Sequence, residues 1–240
     1  MEILNKELRR TILEKGYKNN ITHYGSALSC VDAIKYLYDD VLKKEDTFIL
    51  SKGHGAMALY AVLESKGKNP IWRLHPELDE KNGIYATSGS LGHGLPIATG
   101  RAFAKKLKGE KGRAYVLTGD GEMEEGSNWE ALMIANSLKL NLTLLVDWNK
   151  YQSIEKLKEN FKIEGKSLEK KLKSFGFRTK IINGHDPEEL KKIGRLKDGC
   201  NAVILDTIKG KGVSIFEKDC PHVYNWKNEE EFLKYLKELE

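Results

Sequence analysis

A chain of 240 residues, 40% hydrophobic and 31% charged, is long enough to bury the core of one sizeable α/β domain or two small ones. Its net charge of +5, spread over lysines on what read as helix faces, favours phosphorylated small molecules and gives no reason to invoke nucleic acid. No segment approaches the ~20 apolar residues of a membrane span, Glu2, Lys6 and Glu7 interrupt any signal-type run after Met1, and Cys30, Cys200 and Cys220 lack C-x-x-C spacing, so reduced buried thiols in a cytoplasmic protein are expected.

Leu4 to Lys18 sets Leu4, Leu8, Ile12 and Leu13 among charged residues and predicts an amphipathic helix ended by Gly16 and Asn19-Asn20. Thr22-His23-Tyr24-Gly25-Ser26 reads as a turn before a helix from Cys30 to Tyr38; on residue type alone, a lone histidine there is more often capped or solvated than functional. Phe48-Ile49-Leu50 is a strand running into Ser51-Lys52-Gly53-His54-Gly55. That turn opens a helix from Met57 to Ser65 and sets a lysine and an imidazole beside its positive end, which suits an anion. Leu74-His75-Pro76 carries another histidine in extended backbone. Ser88-Gly89-Ser90-Leu91-Gly92-His93-Gly94 is rich enough in glycine for backbone to press on a ring, and a helix from Ile97 to Leu107 follows.

The central stretch is strand, glycine turn, helix, strand: Ala114 to Leu117, Asp120-Gly121, Trp129 to Leu138, Leu142 to Val146, then Asp147-Trp148-Asn149. Oxygen donors stand just past the carboxyl end of each strand, the edge where open parallel sheets bind ligands. Asp120 and Asn149 are separated by enough chain for one right-handed crossover, which would set the two strands side by side. A carboxylate, an amide oxygen and a backbone carbonyl, completed by water and phosphate oxygens, suit octahedral Mg²⁺. Gly121 admits a phosphate close to the backbone, and the helix start after Gly126 offers unpaired N–H groups. Asp120-Gly121 alone is an ordinary turn dipeptide; the whole stretch reverses that reading.

Leu168 to Phe175 predicts a helix and Arg178 to Ile182 a strand. Asn183-Gly184-His185-Asp186 caps a helix from Pro187, which gives His185 a structural role. Asn201 to Asp206 is the last buried strand, followed by Thr207-Ile208-Lys209-Gly210-Lys211-Gly212 and by Cys220-Pro221-His222. Residues 228–240 read as an amphipathic terminal helix that packs on the domain or on a partner.

Asp120-Gly121, Glu125-Gly126, Trp129-Glu130-Ala131, Leu140-Asn141-Leu142 and Asp147-Trp148-Asn149 together resemble the thiamine diphosphate signature in its transketolase form. The likeness covers nearly the whole chain. It implies an α/β thiamin diphosphate-binding fold of the PP type, a mostly parallel sheet with helices on both faces, as a single domain over residues 1–240. It also implies thiamine diphosphate and Mg²⁺ as cofactors, the metal held by Asp120, the Asn149 side chain and the Tyr151 carbonyl. By the same resemblance His54, Gly121, Glu122, Asn149 and His222 bind the cofactor's diphosphate end, Gly89 and Leu91 contact its aminopyrimidine, and His23, His75 and His222 hydrogen-bond the sugar. Departures are His93 in place of a glutamine, Ser153-Ile154-Glu155 in place of Asp-Gly, a segment 156–165 that is shorter than expected, and a setting for His222 unlike Trp-His-Gly.

The resemblance covers only the diphosphate-binding half of a transketolase. The glutamate that drives removal of the thiazolium C2 proton sits, in that family, in a pyrimidine-binding domain. The implied protein is thus the N-terminal subunit of a split transketolase, moving a two-carbon ketol unit between sugar phosphates with a second subunit that supplies that glutamate, in an α2β2 heterotetramer. Glu125 and Glu130 fall where the family makes its subunit contact. Two other readings stay open: ketol transfer onto a nucleotide-linked or otherwise modified sugar, motivated by His93 and His222, and a non-catalytic binding subunit, motivated by the missing glutamate.

Overall fold

The computed structural model describes residues 4–152 and 165–240. The departures expected at Ser153, Ile154 and Glu155 and in nearly all of 156–165 lie outside the described residues. Five parallel strands form one sheet: β1 (Thr47–Leu50), β2 (Ala114–Gly119), β3 (Leu142–Trp148), β4 (Arg178–Asn183) and β5 (Asn201–Asp206), in the order β1-β2-β3-β5-β4. β2 and β3 are apolar almost throughout because both faces are covered, and every residue of each is buried. Alternation along the strands divides the interior in two. Tyr115 and Leu117 join Phe48, Leu50, Leu145 and Leu205 in one core; Ala114 and Val116 join Ile49, Leu144, Val146 and Ile204 in the other.

Helices α1 (Lys6–Lys18), α2 (Tyr24–Tyr36) and α3 (Ala56–Ser65) cover the first face through Ile12, Leu28 and Leu59. Helices α4 (Gly94–Lys108), α5 (Gly126–Ser137) and α6 (Gly165–Ser174) cover the second through Leu95, Leu132 and Leu168. Helices α7 (Pro187–Gly194), α8 (Ser214–Asp219) and α9 (Glu229–Leu236) complete the first core through Leu190, Phe216 and Phe232. The terminal helix packs on this chain: Phe232 stacks on Tyr17 with ring centroids 4.2 Å apart. All three cysteines are free and buried. Among the described residues no helix is long and apolar enough to cross a membrane.

Two expectations about the first helices are corrected. Gly16 does not end α1; it lies inside the helix, where a Cβ would come within 2.6 Å of the Tyr24 ring, so glycine lets α1 and α2 approach. Gly25 and Ser26 are not a turn but the first turn of α2, which is buried at every position from Tyr24 to Ile34. A helix enclosed on all sides shows no amphipathic period, and its start is therefore invisible to a periodicity argument.

Candidate active site

Four strand ends meet at one edge of the sheet. After β1, a 3₁₀ turn at Gly53–Gly55 carries His54 into α3. A Cβ on Gly53 would stand 2.7 Å from the Gly89 nitrogen, so two glycines let this turn touch the loop before α4. β2 and β3 run in parallel with Gly119 opposite Asp147, and Asp120 and Asn149 follow at their ends. Past β5, the segment beginning at Thr207 brings in Lys209. Between these ends lies a cavity of about 360 Å³, lined by Asp120, Asn149, Tyr151, His54, Lys209 and His222 among others.

The corner formed by Asp120 and Asn149 fits a divalent cation. Asp120 Oδ1 accepts the Gly121 N–H at 2.8 Å and Oδ2 the Lys150 N–H at 2.6 Å. Lys150 adopts a left-handed φ of 72° there, and its own ammonium pairs with Asp206 instead. No lysine or arginine among the described residues lies within ion-pair distance of Asp120. Burial first, and the neighbouring Asp147 second, push its pKa up to about 7. A buried carboxylate with no direct ion-pair partner gains from a cation, and Asn149 and Tyr151 line the same cavity. Among the described residues no group of three or more His, Cys, Asp or Glu side chains is arranged to hold a metal, which leaves this mixed oxygen set as the candidate.

His54, His75 and His222 line the same cavity, and His23, outside that lining, stands next to all three. The His23 ring lies 4.6 Å from that of His222, 5.7 Å from His75 and 6.3 Å from His54, and its Nδ1 is 3.0 Å from the His222 carbonyl, a contact that requires a proton on Nδ1. His54, His75, Gly89, Leu91, Gly121 and Glu122 all line the cavity. Burial, the largest cause for each, lowers the pKa of all four histidines; in His222 it and then His23 bring the value to about 4. Near neutrality the four rings are uncharged imidazoles, each with one donor and one acceptor nitrogen, the donor of His23 being taken by the His222 carbonyl.

Several sequence expectations change here. Lys52, expected beside the anion, points the other way: it is fully buried, ion-paired with Asp147, and donates to the Ser26 carbonyl at 3.1 Å. The helix start after Gly126 does not face the cavity. The 3₁₀ turn Gly121–Glu124 intervenes, and Ser127 Oγ donates to the Gly92 carbonyl at 2.7 Å. The Glu122 carboxylate is consumed internally by Ser51 Oγ at 2.5 Å and the N–H groups of Gly92 and Gly119, so only its backbone is available to a cofactor. His93 is exposed and outside the cavity lining. His185 is indeed structural, but through a network as well as a cap: its Nδ1 faces Asp32 at 2.8 Å and its Nε2 accepts the Ile208 N–H. Residue type alone missed Lys209. Buried beside Tyr151, it donates to the Gln152 carbonyl at 3.4 Å, a long contact for an ammonium, and burial lowers its pKa. Its place just before Gly210 and just past a strand end was the available signal.

A parallel sheet with Asp120 and Asn149, a buried lysine and neutral imidazoles gathered at its carboxyl edge is a domain suited to binding a phosphate compound. Residues 5–222 match the family model described as the thiamine diphosphate binding domain of transketolase, and the chain belongs to that family. One of the subunits of the apulose-4-phosphate transketolase of Phocaeicola vulgatus is 35% identical over 243 residues, covering 90% of this chain and 85% of that protein. The 6-deoxy-6-sulfo-D-fructose transketolase subunit SqwG of a Clostridium species is 34% identical, covering 88% and 85%. The solved transketolase of Campylobacter jejuni superposes with a TM-score of 0.80 at 25% identity; 97% of this chain matches 41% of that one. The transketolase of Leishmania mexicana, at 22% identity and a TM-score of 0.79, shares the fold.

Proposed function

We propose that this chain is the diphosphate-binding subunit of a two-chain transketolase, dependent on thiamine diphosphate and Mg²⁺, that transfers a two-carbon ketol unit from a ketose to an aldose phosphate. The observation that carries the reading is the buried Asp120 carboxylate, without a cationic partner among the described residues, facing the same cavity as Asn149 and Lys209. Asp120, the Asn149 amide oxygen and the Tyr151 carbonyl would hold the metal. His54, Lys209 and the backbone at Gly121 and Glu122 would hold the diphosphate, while Gly89 and Leu91 receive the aminopyrimidine. When bound, thiamine diphosphate supplies a carbanion and an electron sink for cleaving and forming the ketol's C–C bond.

The chain's own part in the reaction is binding, orientation and hydrogen bonding. Neutral His75 and His222 would donate to the sugar carbonyl and accept from its hydroxyls, while His23 would accept from a hydroxyl. The His23 Nδ1 contact leaves Nε2 as that ring's acceptor.

A second polypeptide would contribute the pyrimidine-binding domain and its glutamate, in an α2β2 assembly in the cytoplasm. Two relatives that resemble this chain along most of their length are named as subunits, which supports a divided enzyme. Their named substrates, apulose-4-phosphate and a sulfonated fructose, favour a modified ketose as donor over an ordinary pentose phosphate. Purified chain, alone and with a polypeptide that carries the pyrimidine-binding domain, tests the proposal against a panel of ordinary, branched and sulfonated sugars with products identified by mass spectrometry. Ketol transfer that needs both chains supports it. No transfer on any sugar, together with no calorimetric binding of the cofactor, would favour a non-catalytic role.

A further inference from the structure

Asp147, the penultimate residue of β3, has no exposed surface and stands two residues before Asn149. Its Oδ1 accepts from Thr207 Oγ1 at 2.5 Å; its Oδ2 accepts from Ser29 Oγ at 2.5 Å, from Lys52 Nζ, and from Asn149 Nδ2 at 3.1 Å. At the other end of the same amide, Asn149 Oδ1 accepts the Tyr151 N–H, also at 3.1 Å. Turning the carboxamide over would set its oxygen against a carboxylate and its NH₂ against an N–H, replacing two hydrogen bonds with two repulsions. Both ends therefore select one orientation. The amide lines the cavity beside Asp120, whose Oδ2 holds the intervening Lys150 N–H.

We infer that Asp147 is a positioning residue that locks the Asn149 carboxamide with its oxygen, not its nitrogen, presented to the cation position, while Lys52, Ser29 and Thr207 from three other segments hold the Asp147 carboxylate still. The inference rests on the metal reading given above. Asp147 touches neither cation nor cofactor in this arrangement. It removes the amide rotation that would otherwise place an NH₂ group against Mg²⁺. The several donors on Asp147 are what makes the lock firm, because the carboxylate itself has no freedom to follow the amide.

Two readouts test this on the full chain. The first is hydrogen exchange of the Asn149 side-chain amide by NMR, assigned by its loss in Asn149→Ser. The second is Mn²⁺ affinity by electron paramagnetic resonance in the presence of thiamine diphosphate. In the wild type the amide protons exchange slowly. In Asp147→Ala they exchange fast, and Mn²⁺ affinity falls roughly 10–100-fold, the usual loss when a group orienting a metal ligand is removed. Asp147→Asn keeps an oxygen acceptor for Asn149 and stays within about threefold of wild type, as do Ser29→Ala and Thr207→Val, well short of that loss.

If Asp147→Ala fails to fold because Lys52 is left unpaired, the double variant Lys52→Met with Asp147→Leu removes the buried pair together and is expected to show the same loss. A folded variant lacking an acceptor at 147 that binds Mn²⁺ like wild type overturns the inference. So does an Asp147→Asn variant as weak as Asp147→Ala, which would assign the effect to charge. Wild-type amide protons exchanging like those of a surface asparagine overturn it as well. Absence of Mn²⁺ binding in the wild type would instead sink the metal reading, with the exchange readout still deciding the orientation.

Discussion

Glu122 accepts the backbone N–H of Gly92 at 3.0 Å, and this bond ties the turn after β2 to the glycine loop before α4. The same carboxylate holds Ser51, past β1, and Gly119, at the end of β2, so one buried side chain clasps three of the segments that build the cavity. Glu122→Ala leaves those donors without an acceptor, and a loss of about 2–4 kcal/mol is expected. For a chain of this size that corresponds to a melting temperature lower by roughly 5–15 °C. Calorimetric melting checks it; an unchanged melting temperature would show that the clasp is dispensable.

Lys209 is predicted to act in opposite directions with and without ligand. It is buried with no carboxylate in ion-pair range among the described residues, so Lys209→Met leaves the unliganded melting temperature unchanged or raises it. The same substitution removes a charge-assisted contact to the diphosphate and weakens thiamine diphosphate binding roughly 10–100-fold. Titration calorimetry gives the affinity. Loss of stability without loss of affinity would make Lys209 a structural residue.

His222 gives the protein an acid-sensitive edge. Its pKa is near 4 in the folded chain against an ordinary 6.5, chiefly because of burial. Between those values the unfolded chain takes up a proton that the native site refuses. Stability is therefore fully present above about pH 6.5 and is lost as pH falls through this window. His54, His23 and His75, also lowered, act in the same direction. Urea midpoints of the unliganded chain should drop from about pH 7 to about pH 4.5, and His222→Gln should flatten that slope; an equal slope in the variant would contradict the assignment.

His185 is held on both ring nitrogens, by Asp32 and by the Ile208 N–H next to Lys209, and Asp32 also binds Arg9 at 2.5 Å. His185→Ala opens this buried network, and a loss of about 2–4 kcal/mol is expected by urea denaturation. A variant within about 0.5 kcal/mol of wild type would place it with ordinary surface substitutions.

The strands and the meeting of Asp120 with Asn149 at one cavity were legible in the sequence because their signals are local. Leu142 to Val146 is a continuous apolar run, and Asp120 and Asn149 each follow such a run by a few residues. Asp186 and Pro187 announced their cap, and the Asp186 carboxylate does accept the Glu188 N–H at 2.8 Å. What sequence reading missed depends on contacts between distant segments. Lys52 resembles an anion binder until its partner, Asp147 on another strand, is known. Gly16 and Gly25 resemble helix breakers because the helices and loop they allow to approach are far along the chain.

The central claim is that Asp120 and Asn149 hold a metal-bridged diphosphate in an enzyme completed by another polypeptide. It is tested most directly by ketol-transfer rates of the reconstituted pair, with wild type and with Asp120→Ala in this chain, each compared with this chain alone. Turnover is predicted only for the wild-type pair, with at least a ~10²-fold fall in the variant from loss of electrostatic stabilisation at the cofactor. Undiminished turnover by the Asp120→Ala pair, or full turnover by this chain alone, would contradict it.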